Sequence, residues 1–349
     1  MYYLSKIFLL TLLLSLLIFF GQALAELSMD SPEVDSIILK GIEMVHNDSI
    51  FAAVEEFKKL IEIFPEDPIG YFYVSAILQI MMDDYRNYSY MDEFNKYMNL
   101  AIKTGEERKK KGNLTAYDCL YLGGAIGYRG IHKGLTGNWV GAFVDGLKGK
   151  GYLEKALEID PELYDVYYGL GTYHFWKSLK DKIFWWLPFV ADKRQMGIDM
   201  IKLAIEKGKY AKEDAKYALV RIWVENKEYE KGFAMISELR KTHPNKPFLL
   251  WFLGKAQMEN QMYDGAINTY QGLLKALTSS SYYHPAGEVE CRYFLALAYY
   301  ESKDFEKSSD VIESILTFEK NPKENKSIKD FVDKAKKLKK KIKKETKTG

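Results

Sequence analysis

Cysteine is nearly absent: Cys119 and Cys291 are the only two in 349 residues. That excludes a disulfide-stapled scaffold. The two lie far apart, each within an apolar helical segment, so the expectation is two separate buried thiols packed as small apolar side chains. Histidine is almost as scarce. None of the five, His46, His132, His174, His243 and His284, stands in HExxH or another metal-ligand spacing. His174 is expected in the core. Also missing are a GxSxG elbow, a Walker loop and a GxGxxG following a strand. These absences remove the local signatures of hydrolase, NTPase and dinucleotide chemistry. Gly146-Leu147-Lys148-Gly149-Lys150-Gly151 has neither the spacing nor the Ser/Thr of a phosphate loop. Asp160, Glu162 and Asp165 read as turn and helix-start residues rather than a glycosidic acid pair. Period-two alternation is rare, so few strands are expected. The sequence reads as a non-enzyme without a cofactor or metal.

A strong net charge is missing too, at +2 for the whole chain. The balance conceals an asymmetry. From Lys320 onward there are thirteen lysines against four acidic residues, while residues 26–319 carry a net −8. An acidic body with a basic tail argues against a nucleic-acid partner, which needs a clustered basic face. After residue 25 no apolar run is long enough to cross a membrane. Residues 1–25 differ. Lys6 precedes the apolar run Ile7 to Phe20, and Ala23-Leu24-Ala25 offers a small-x-small cleavage site before Glu26. This is the pattern of a secretory signal peptide. It places the chain in the periplasm or outside the cell. No cysteine follows the site, so no lipid anchor is offered.

What the sequence has is recurring helix punctuation. The apolar residues of Phe51 to Ile61, Gly151 to Ile159 and Glu230 to Leu239 are spaced three and four apart. Pro65, Pro161 and Pro244 follow them. Each segment reads as an amphipathic helix stopped by proline and followed by another helix, with a period of about 34 residues. Glycine adds a second pattern. Gly123, Gly127, Gly130, Gly134, Gly137 and Gly141 lie three or four apart. Each costs roughly 1 kcal/mol against alanine inside a helix. Close backbone approach to a neighbouring helix is the expected reason, with breaks near Gly134 and Gly137.

The punctuation resembles the tetratricopeptide repeat family. Tyr167, Leu170-Gly171 and His174 match its first-helix pattern. Leu250, Leu253-Gly254, Ala266 and Tyr270 match a whole repeat, and Leu219, Trp223, Gly232, Ile236 and Pro244 the one before. Leu295-Ala296, Tyr299, Ser308, Ile312 and Ile315 match a later one, and Gly41, Ala53, Phe57, Leu60 and Pro65 the first. Pro68 to Ala101 is the weakest unit. The resemblance covers most of Pro32 to Asn321 as about six helix pairs. Inserts stand at 178–191 and 279–286. It implies an all-α, right-handed superhelical solenoid with three parts: signal peptide 1–25, repeats 26–321, and a Lys-rich capping helix and tail 322–349. In the tail Ile328, Phe331, Val332, Ala335, Leu338 and Ile342 form one apolar stripe, with fraying expected after about Lys343.

The resemblance also implies a concave groove lined by the first helix of each pair, and a protein or peptide partner held there. The groove-facing candidates are Tyr168, Tyr217, Trp251 and Tyr293, with Phe175, Trp176, Arg221, Lys255, Met258 and Tyr300 on the same faces. Intra-repeat packing is the competing reading for these aromatics. A rival binding mode is a small-ligand pocket at the glycine-rich unit, near Tyr128, Arg129, His132 and Trp176, serving an uptake system. The insert supplies Phe184, Trp185, Trp186 and Phe189. It is expected to cover the glycine-rich unit, with partner contact or peripheral membrane contact through 183–190 as alternatives. The lysine tail is read as a solubilising cap, with anionic lipid as its other contact. Export is expected to leave a mature chain beginning at Glu26. N-terminal sequencing checks this, and Met1 on the mature protein would make it membrane-anchored instead.

Overall fold

The computed structural model describes residues 31–112, 114–181, 192–320 and 326–348. Fifteen α-helices and no strand are present among them. In chain order these are α1 (Pro32–His46), α2 (Ile50–Ile63), α3 (Pro68–Tyr85), α4 (Met91–Lys110), α5 (Ala116–Leu135), α6 (Trp139–Ile159), α7 (Val166–Asp181) and α8 (Arg194–Lys207). They continue with α9 (Lys212–Glu225), α10 (Tyr229–Leu239), α11 (Pro247–Glu259), α12 (Tyr263–Thr278), α13 (Pro285–Glu301), α14 (Phe305–Leu316) and α15 (Lys326–Thr348). The first fourteen form seven antiparallel pairs, one more than the sequence suggests. Each helix packs on the next, giving a right-handed solenoid. Pro32, Pro68, Pro247 and Pro285 begin helices, where the missing N–H costs nothing.

Five of the turns within pairs share one geometry. Asp48, Gly137, Lys227, Gln261 and Lys303 all take left-handed backbone, with φ between 58° and 86°. The next residue's N–H reaches back five positions in each case: Ser49 to Met44, Asn138 to Lys133, Glu228 to Trp223, Met262 to Gln257 and Asp304 to Tyr299, at 2.8–2.9 Å. This is the Schellman closure of a helix. It reverses the chain within a few residues in five of the seven pairs. Lys227 and Gln261 stand 34 positions apart, which is the repeat length seen in the sequence.

The glycines allow close packing within two pairs. A Cβ on Gly123 would lie 3.0 Å from the Gly149 carbonyl oxygen, and one on Gly149 would lie 2.9 Å from that of Gly123. The approach is tighter between α7 and α8, where a Cβ on Gly171 would come within 2.5 Å of the Gly197 oxygen. The expected break falls at Gly137, outside α5.

α3 is apolar on nearly every side because it contacts α2, α4, α5 and α11. The last of these contacts is not between neighbours. The superhelix returns on itself, bringing the first repeat against the sixth. At the other end α15 covers α13 and α14 through the expected stripe, from Ile328 to Ile342. The helix runs on past Lys343, where fraying was expected. The Tyr300 hydroxyl donates to Glu345, and Lys303 approaches the same carboxylate. Cys119 and Cys291 are separate, buried and free, and His174 is buried.

Gly171→Ala is expected to destabilise the protein by roughly 1–3 kcal/mol, as overpacking does, despite alanine's better helix propensity. Gly127→Ala has open space around the new methyl and should stabilise by up to about 1 kcal/mol. Denaturant midpoints of the two variants check the pair.

Candidate functional site: the inner face of the superhelix

The first helices of the pairs, α1, α3, α5, α7, α9, α11 and α13, supply the inner face, as the sequence implies. Much of that face is covered by the chain itself. His46 at the end of α1 stacks on Tyr217 at 5.2 Å between ring centres. Val45 accepts a 2.9 Å bond from the Lys246 ammonium, which also stands 3.4 Å from Asp84 and 3.6 Å from Asp48. Trp251 donates its indole N–H to the Asp84 carbonyl at 2.9 Å, with the Arg86 guanidinium 4.4 Å over its ring. Arg86 pairs in turn with Glu290 of α13 at 3.0 Å. Tyr282, in the 279–286 insert, accepts from the Ile50 N–H and donates to the Asp48 carbonyl. That insert therefore has a structural purpose: it reaches the first repeat.

This seam corrects the groove assignment for two residues. Tyr217 and Trp251 face inward but are buried by α1 and by the end of α3, so they are not open to a partner. Phe175 is core, packed among α7, α8 and α9, with Trp176 edge-on against it. Tyr293 lies against Phe331 of α15, and Tyr300 is bonded to Glu345, so the capping helix takes both. Lys255 pairs with Glu225, and Met258 packs against the main core. The glycine-unit pocket does not converge. Tyr128 faces Phe72, Arg129 holds Asp145, His132 meets Phe94, and Trp176 meets Phe175. Phe184, Trp185, Trp186 and Phe189 lie outside the described residues.

Three of the predicted residues do meet. Tyr128 of α5, Tyr168 of α7 and Arg221 of α9 are half-buried around one inner recess. Tyr168 is within hydrogen-bonding reach of Tyr128. Arg221 sits 5.5 Å over Phe252 and 5.7 Å over Phe248, and 3.8 Å from Asp83 of α3. Asp214 of α9 adds a second carboxylate facing the two tyrosines. Its side chain keeps 38% of its surface, yet burial pushes its pKa up to about 6. Burial likewise raises Tyr128 and Tyr168 above the ordinary phenol range.

Asp83, Asp214, Phe248 and Phe252 were not legible as site residues, since each stands alone in its own segment. One signal was available: the acidic pair Asp83-Asp84 ends an otherwise apolar helix. Chemically the recess offers aromatic walls, one guanidinium and two carboxylates. Among the described residues no group of three or more His, Cys, Asp or Glu could hold a metal ion. His46 is driven down to about 3, first by burial and then by Lys246, so it is neutral near pH 7. Neither of its ring nitrogens has a hydrogen-bond partner.

No family model matches the chain, and no curated protein does. Solved structures do. The chain is similar to a component of the APC/C heterotetramer Cut9–Hcn1 at TM-score 0.52 and 14% identity, over 90% of this chain and 59% of that one. It thus spans about three fifths of that relative's length. It is also similar to the C-terminal part of a TPR repeat-containing protein of Cytophaga hutchinsonii (TM-score 0.42, 18% identity, 84% and 99% coverage). A third is yeast Tom70 (0.36, 13%, 87% and 87%). The likeness to the first shows the fold, that of the tetratricopeptide-repeat solenoids.

The seam should be tested by pH. Burial raises Asp84 to about 6, against the opposing pull of Lys246 and with Asp48 and Asp83 adding to the rise. A carboxyl whose folded pKa exceeds its unfolded value holds its proton more tightly when folded. Its contribution is therefore present at low pH and lost as pH rises from about 4 to about 6. The stability of the wild type relative to Asp84→Asn should fall across that window by on the order of 2–3 kcal/mol and stay level above it. Urea unfolding of both proteins at several pH values checks this.

Proposed function

We propose that this chain is an exported, non-catalytic scaffold that holds a peptide segment or partner protein at the inner recess. The observation that carries the reading is the meeting of Tyr128, Tyr168, Arg221, Asp83 and Asp214, all half-buried, between α3, α5, α7 and α9. Tyrosine and arginine in a desolvated hollow are the residue types that dominate protein-binding energies. The guanidinium lies over the Phe248 and Phe252 rings and 3.8 Å from Asp83, and a partner's carboxylate or backbone carbonyl can compete with that long ion pair. The carboxylates can accept the partner's backbone N–H groups. The signal-peptide pattern supports a site of action in the periplasm or outside the cell. The non-catalytic reading follows the sequence, which carries no nucleophile elbow, metal-ligand spacing or phosphate loop.

Affinity capture by the mature protein from its own envelope extract tests the reading. Wild type should retain a defined protein. Arg221→Ala and Tyr168→Ala should each reduce retention about tenfold, equivalent to roughly 1.4 kcal/mol, with unchanged helical circular dichroism. Equal retention by both variants would remove the recess as the site.

A further inference from the structure

Outside the recess, the largest cluster of exposed apolar side chains lies on α6. Trp139, Val140, Phe143, Val144 and Leu147 are all exposed, with Val140 open over 77% of its surface and Trp139 over 59%. Exposed Ile131, near the end of α5, precedes the turn that leads into this helix. α6 therefore has two apolar sides. Its inward side, through Tyr152, Leu153 and Ala156, belongs to the core. Its outward side is apolar only as far as Leu147. Beyond that it turns to Lys148, Gly151, Glu154, Lys155 and Glu158, the ordinary polar surface of a solenoid helix. Among the described residues, the neighbouring helices meet the first half of α6 through Ala142, Asp145, Gly146 and one edge of the Trp139 ring, and leave Val140, Phe143, Val144 and Leu147 exposed.

Cations outnumber carboxylates around the cluster: Arg129, Lys133 and Lys148 pair with Asp145 and Glu106. From Ile131 to Lys148 the sole carboxylate is Asp145. It is buried and held by two cations, Arg129 at 2.8 Å and Lys133 at 2.6 Å. One of these cations is in excess over the carboxylate. Lys148 flanks the far end of the cluster, and the helix N-terminus, with its positive end of the dipole, lies at the near end.

We propose that the outward face of the first half of α6 docks onto the surface of an anionic lipid bilayer. Size separates this occupant from a second protein. The face spans nine residues, about 13 Å at 1.5 Å per residue, and is one helix wide. That is well short of the roughly 800 Å² per partner that a stable protein interface buries. It matches the depth of an interfacial helix, which sinks its apolar face about 5–10 Å into the boundary between headgroups and chains. Trp139 at one end suits the headgroup level, where indole rings collect. Arg129, Lys133 and Lys148 outnumber by one the carboxylates they pair with, Asp145 and Glu106, and that excess positive charge faces anionic headgroups. Among the described residues no helix is long and apolar enough to cross a membrane, so the contact is peripheral. It would leave the inner recess free for its own partner.

The test is flotation of the mature chain, residues 26–349, with vesicles of phosphatidylcholine containing about a third phosphatidylglycerol. Val140→Asp/Val144→Asp places two carboxylates on the outward face without touching the core. The wild type should float and the double variant should lose at least ten-fold in bound fraction, with its thermal midpoint unchanged. A second variant, Trp185→Ala/Trp186→Ala, should float as the wild type does. Three results would overturn the proposal. One is a wild type that stays with the soluble fraction. Another is a Val140→Asp/Val144→Asp variant that floats undiminished. The third is a lipid-free wild-type dimer, seen by sedimentation, that the same substitutions dissociate, which would give the face to a second copy.

Discussion

A single buried ammonium joins the first two repeats of the solenoid to the sixth. Lys246 is almost wholly removed from water, in the loop before α11, and it meets the Val45 carbonyl, Asp48 and Asp84 from three different elements of the first repeats. Breaking such a pair by deleting one partner costs about 3–5 kcal/mol, because the other charge is left buried alone. Around it stand the Arg86–Glu290 ion pair and neutral, directional contacts: the Trp251 indole on a carbonyl, the Tyr282 hydroxyl between two backbone groups, and His46 on Tyr217. A solenoid without this seam would be a row of nearest-neighbour contacts. With it, the first and sixth repeats are held together, and α3 becomes an interior helix.

The closure also decides what the inner face can do. An open groove would present aromatics along its whole length. Here α1 and α3 occupy one stretch and α15 another, leaving the part between α3, α5, α7, α9 and α11. The residues there combine partial exposure with a strongly desolvated carboxyl, Asp214. Groups in that state gain more from a matched partner than the same groups on an open surface, since the surrounding low dielectric strengthens each new hydrogen bond. The Asp35 carboxylate shows the contrasting case. It lies nearer solvent, is bonded by Lys209 and Tyr210, and its pKa is lowered.

The backbone imposes a second constraint. The five left-handed turns reverse the chain within five of the seven pairs, and the glycine contacts set how near the helices come. Where Gly123 meets Gly149 and Gly171 meets Gly197, the helices touch through their main chains. Side chains that would elsewhere fill the gap are displaced outward. The first half of α6 shows the consequence: its outer side carries Val140, Phe143 and Val144, while Gly146 and Gly149 lie toward the neighbours.

The sequence by itself determined the local architecture. Helix period, proline stops, the 34-residue spacing, the glycine contacts and the apolar stripe of α15 are all properties of short segments, and local patterns encode them directly. Even the inward direction of Tyr168, Tyr217 and Trp251 was legible, because the position within a repeat fixes which way a side chain points. Tertiary structure decided what those side chains meet. Nothing near Tyr217 in the chain indicates that His46 will stack on it, and nothing near Trp251 indicates the carbonyl of Asp84. These contacts span more than 160 residues and depend on how far each repeat rotates relative to the last. α3 gave the weakest repeat signal for the same reason: closure buries it on several sides, so it has no polar face to reveal its period. The recess follows the same rule. Tyr128, Tyr168 and Arg221 could be read from repeat position, whereas Asp83, Asp214, Phe248 and Phe252 join them only because the superhelix comes round to meet its own beginning.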